Sequence, residues 1–132
     1  MFHHQMERDK ILIGLRPAVD AANVYTDTSG TEKFQNEVLR PVVKLQYSVL
    51  MHYFSHYLIK KKIYIQTVDH VTKVKIIEKM LQNDTYIRNL LIGSIIGLLS
   101  ENEMERYCEN EPEYRNRIIK LLTRRFTEEI RF

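Results

Sequence analysis

From Thr31 to about Lys60, residues recur at steps of three and four: Phe34, Val38, Pro41, Leu45, Val49, His52 and His56, with Leu39, Val42, Tyr53 and Tyr57 beside them. That spacing lays one stripe along a helix and predicts a long central element. Pro41 interrupts it. A proline inside a helix removes one hydrogen bond and crowds the preceding turn, at a cost of about 3 kcal/mol, so a break with Pro41 opening a second helix is the competing reading. The stripe crosses Pro41 without losing phase, which favours one kinked helix.

Shorter patterns flank it. Asp9 to Leu15 is short, apolar and closed by Arg16-Pro17, either one or two helical turns or an extended lead-in, and Ala18 to Gly30 has no sustained period and ends in turn residues. Residues 1–30 are therefore expected to be a largely irregular N-terminal segment, with its second half a covering loop. Lys60, Lys61 and Lys62 suit the C-terminal end of the central helix, where cations meet the negative end of the dipole. "IYIQT" has no partner strand in the chain and reads as an extended linker. Thr67 can cap a helix to about Gln82 with Val71, Val74, Ile77 and Leu81 inward, and Asp84 can cap the next, to about Leu99. Ser100 and Glu103 have capping-box spacing for a short helix carrying Met104, Tyr107 and Cys108. Pro112 fits the first turn of a last helix with Tyr114, Ile118, Leu121, Leu122, Arg125 and Phe126 on one face. The expectation is an all-α fold: a single domain over residues 1–132, a bundle of five or six helices around a long kinked one.

Composition agrees with this reading. The chain has 132 residues, 44% hydrophobic and 28% charged, with Gly 4 and Pro 3; so few breakers favour helices over a fold of many turns. No apolar run reaches the ~20 residues that span a bilayer, which argues against a membrane protein. A lone cysteine, Cys108, cannot close an internal disulfide and points to a reducing, cytoplasmic setting. On an amphipathic helix it reads as a core residue. The net charge of +3 is uneven: residues 101–113 carry six acidic side chains and one basic, and 114–132 carry six basic and two acidic.

The candidate chemistry is sparse. His52 and His56 stand four apart, on one helix face, as metal ligands would, but no third ligand is evident and no HExxH motif exists. Arg115, Arg117, Lys120, Arg124 and Arg125 give a weak nucleic-acid signature, with acidic neighbours as nearer partners. Gly93 and Gly97 let a second backbone approach, within the chain or from a second copy. There is no glycine-rich phosphate loop, no nucleophile elbow, and no cofactor is implied. One polar set stands out: Arg16, Gln35, Asn36, Arg40, Lys44, Arg88 and Asn89. "LRPAV" at Leu15 echoes "LRPVV" at Leu39, and each places an arginine at a chain bend. These arginines either tie helices together through Asp20, Glu37 and backbone carbonyls or line a pocket for an anionic small ligand.

"ERDKILIGLRPAV", "FQNEVLRPVVKLQ" and "YIRNLLIGSIIGLLS", followed by acidic residues, a tyrosine and a closing amphipathic helix, resemble a family of small helical proteins from Bacteroidota. The likeness covers most of the chain. Some members carry a glyoxalase label, but glyoxalase-type enzymes are built from paired βαβββ modules with metal ligands on strands, and this chain shows no such series. The expected role is a non-catalytic binding or protein-interaction module, with a homodimer or another protein as partner. A small metal-dependent or glyoxalase-labelled enzyme and a weak nucleic-acid binder are the alternatives.

Overall fold

The computed structural model describes residues 2–19 and 29–129, with side chains from Glu7 onward. Helix α1 (Phe2–Gly14) is followed by residues 15–19 without regular structure. A helix thus occupies most of the first half of the segment expected to be irregular. Of the expected covering loop, residues 20–28 lie outside the described residues. Ser29 accepts the Glu32 amide at 3.2 Å and caps α2 (Gly30–Phe34), which runs through a π-helical turn (Gln35–Leu39) into α3 (Arg40–Lys60). A 3₁₀ turn (Ile65–Thr67) replaces the expected linker. The bundle continues with α4 (His70–Asn83), α5 (Thr85–Ile96), α6 (Glu101–Glu109) and α7 (Glu111–Glu129). Counting Gly30 to Lys60 as one joined helix, the described residues form six helices and no strand: the all-α bundle that the periodicity predicts.

The π turn answers the proline. Pro41 has no N–H, and in an unbroken α-helix its ring would press on the carbonyl of Glu37. Instead the turn just before it widens, with the Arg40 amide donating to Gln35 O, five residues back. Pro41 then follows as the second residue of α3. One extra residue in the turn rotates everything downstream by one residue's step, about 100°. The predicted stripe therefore slips by one. Phe34 and Val38 are buried as expected, but beyond the proline the inward face is Val42, Val43, Leu50, Phe54, Tyr57 and Leu58, while Val49, His52 and His56 are exposed. The stripe does not keep its phase across Pro41.

α7 is the centre of the bundle, touching α3, α4, α5 and α6. Its Tyr114, Ile118, Leu122 and Phe126 join Phe34, Phe54, Ile77, Leu81, Ile87, Leu91 and Ile95 in one core. Phe54 stacks on Phe126 at 5.1 Å and Phe34 meets Tyr114 at 4.5 Å, which seats the central helix on α7. Val71, expected inward, is exposed, and α4 begins after Asp69, whose side chain accepts the Thr72 amide, rather than at Thr67. Cys108 is exposed, not core, because the short α6 buries only Tyr107. Gly93 is exposed, and a Cβ built there meets nothing within 4 Å, so the small-residue pair brings no helix of the described residues close.

The junctions are held by caps. Lys62, with φ 60°, lets its amide reach Ile59 O and the Ile63 amide reach Leu58 O, the paired bonds that close a helix end. Asp84 Oδ1 accepts the Ile87 amide, and its Oδ2 accepts from Tyr57 Oη at 2.7 Å, with Lys61 Nζ at 3.6 Å. Burial pushes the Asp84 carboxyl up, but those hydrogen bonds and the lysine outweigh it and hold it below the ordinary carboxylate range. The Ser100–Glu103 capping box forms in full.

Candidate functional site

The seven polar residues singled out by sequence do not form one pocket. Arg16 lies against α6, where its guanidinium forks onto Glu103 at 2.6 and 2.7 Å and also donates to Leu98 O. Both side chains are largely buried, at 9% and 12% exposure. Burial presses the Glu103 carboxyl upward, but the Arg16 bonds and the Ser100 amide overcome it and keep it below its ordinary value. Arg16 is a structural tie. Gln35 Oε1 accepts from Arg117 at 2.9 Å, fastening the π turn to α7. Arg88 donates to Leu81 O at 2.7 Å and closes the end of α4, and Asn89 accepts from Arg115 at 2.5 Å. Asp20 lies outside the described residues. Of the proposed carboxylate partners, Glu37 is exposed, and the ties run instead to Glu103 and to backbone carbonyls.

Asn36, Arg40 and Lys44 remain together. They lie four apart, so they share one face of the central helix. Asn36 Oδ1 accepts from Arg40 Nε at 2.8 Å and orients its guanidinium. Lys44 Nζ donates to Ala18 O at 2.6 Å. Both cations line a cleft of about 270 Å³, whose other walls are Val19, Val43 and, from α7, Leu121, Arg124, Arg125 and Glu128. The α7 residues lie three and four apart and form a single facing row. Four cations and one carboxylate thus border a small, mostly polar cleft, with Val19, Val43 and Leu121 as its apolar lining.

Each α7 cation is paired with a carboxylate four residues along the helix. Arg124 Nε meets Glu128 Oε1 at 3.2 Å, and Arg125 meets Glu129 at 3.3 Å with its guanidinium 4.8 Å above the Tyr47 ring. A hydrogen bond to Glu129 raises the Tyr47 phenol above its ordinary value, with burial adding to it. In sequence Arg124 and Arg125 belong to a basic row that nothing local joins to Arg40. That junction depends on α3 lying on α7, and so on the phase shift at the π turn.

His52 and His56 are both exposed, and among the described residues no group of three or more His, Cys, Asp or Glu side chains could hold a metal ion. Arg115 and Arg117 are engaged with Asn89, Glu113 and Gln35. No described helix is long and apolar enough to cross a membrane. Compared with protein-family models, curated proteins and solved structures, the chain matches none. Fold and site define the class by themselves: an all-α helical bundle with a basic cleft between its central and last helices.

Proposed function

We propose that the protein is a non-catalytic binding module that takes an anionic small molecule in the cleft between α3 and α7. The observation that carries the reading is the convergence of Arg40, Lys44, Arg124 and Arg125 on one cavity. Like charges brought together raise the local potential, and an anion relieves it. Arginine forks and a lysine ammonium also supply the donors that phosphate or carboxylate oxygens accept. The expected result is that inorganic phosphate, titrated at low ionic strength, perturbs amides around the cleft in the wild type and not in Arg40→Ala, with the urea midpoints of the two proteins close. An Arg40→Ala protein that still binds phosphate at the same site contradicts the assignment.

A homodimer belongs to the same reading, supported by a separate observation. From Leu45 to Ile59 the sequence holds no Asp, Glu, Lys or Arg, yet Val49 is 62% and Ile59 50% exposed, with His52 and His56 also exposed. An uncharged helix face open to water is compatible with a second copy of itself, since no like charges oppose one another. Sedimentation velocity is expected to show a dimer that Val49→Glu reduces to monomer; a wild-type monomer at high concentration contradicts it. A cytoplasmic setting, supported by the lone cysteine, and kinship with the small Bacteroidota helical proteins, supported by the quoted motifs, complete the proposal.

A further inference from the structure

We infer that the ligand of the cleft carries two or more linked phosphate groups, and that Glu128 and Glu129 are internal anions displaced on binding. The inference rests on the reading of the cleft as an anion site. The four cations are not equivalent. Among the described residues, Arg40 and Lys44 hold only neutral acceptors, Asn36 Oδ1 and Ala18 O, whereas Arg124 and Arg125 each hold a carboxylate four residues along α7. Four cations against two carboxylates leave an excess of two positive charges at rest. Displacing both glutamates doubles that excess.

Neither pair is fully buried. Arg124 and Glu128 are 69% and 57% exposed, and a single exposed ion pair is weak, so a multiply charged competitor replaces it at little cost; Arg125 and Glu129, at 35% and 36%, are half-buried, with Tyr47 also bonded to Glu129, so that pair yields less readily. Three guanidinium forks and an ammonium offer more donors than one phosphate can accept, and linked phosphates supply the further oxygens. Size argues in the same direction. At about 270 Å³ the cleft is at or below the lower end of small-molecule sites, which suits a compact diphosphate head better than a large ligand buried whole.

The test is calorimetric titration of the full chain with inorganic pyrophosphate and with inorganic orthophosphate at low salt, using the wild type and the Glu128→Gln/Glu129→Gln variant. Pyrophosphate is expected to bind the wild type at least about tenfold more tightly than orthophosphate, and the double variant to bind pyrophosphate roughly three- to tenfold more tightly than the wild type does. Equal affinity for the two anions, or no gain in the double variant, overturns the inference while leaving an anion site in place. Binding of neither anion by either protein removes the anion site itself, and the inference with it.

Discussion

The tripeptide Leu-Arg-Pro occurs twice, and its two copies have opposite fates. At Leu15 to Pro17 it ends a helix: Leu15 is 58% exposed while the Arg16 side chain is largely buried against Glu103. At Leu39 to Pro41 it lies within the joined helix: Leu39 is fully buried and Arg40 turns outward to the cleft. Local sequence supplies a bend and a cation in both places. Tertiary partners decide which residue is structural. In the first copy the arginine makes the fold, and in the second the leucine does, which lets the arginine face the cleft.

The largest expected contrast is between the leucines. Leu39→Ala opens a cavity in the core, where Leu39 is fully buried, and is expected to cost about 2–5 kcal/mol, whereas Leu15→Ala should stay within about 0.5 kcal/mol, both read by urea unfolding. Equal costs would erase the distinction. The arginines should reverse that order. Arg16→Ala strands the Glu103 carboxylate in a largely buried site and is expected to cost about 3 kcal/mol, while Arg40→Ala, which loses one bond to Asn36, should cost about 1 kcal/mol or less.

A smaller effect sharpens the comparison through pH. Because Glu103 titrates below its ordinary value in the folded protein, its contribution is fully present above the unfolded glutamate value of about 4.3 and is lost as pH falls through the lower folded value. Stability measured from pH 6 downward is expected to decline over that acid window in the wild type and less steeply in Glu103→Gln. Arg40→Ala should retain the wild-type slope. Parallel slopes in the wild type and Glu103→Gln would show that the pair carries no such linkage.

Much of the fold was legible because its signals are local. Asp84 and Ser100 announce their helices through side chains that reach only three residues along, and the stripes of α5 and α7 repeat without interruption. The central helix was legible in extent but not in phase. Pro41 signals that something must yield, but a kink and an inserted residue satisfy the missing hydrogen bond equally well on paper, and only the second rotates Val49 and His52 out and Leu50 and Tyr57 in. Half of the cleft was visible in Arg40 and Lys44, with Asn36 beside them. The other half was read as a nucleic-acid-like row, because nothing in sequence joins residue 40 to residue 124. Arg16 looked like its twin for the same reason: its partner, Glu103, is 87 residues away.

One titration addresses the central claim that the two Leu-Arg-Pro arginines have separate jobs. In a ¹⁵N spectrum recorded on the arginine Nε–H signals, assigned by Arg16→Lys and Arg40→Lys, inorganic pyrophosphate is added to the wild type. The Arg40 signal is expected to shift together with those of Arg124 and Arg125, while that of Arg16, locked on Glu103, stays in place. An Arg40 signal that does not move while pyrophosphate binds elsewhere, or an Arg16 signal that moves with it, would contradict the account.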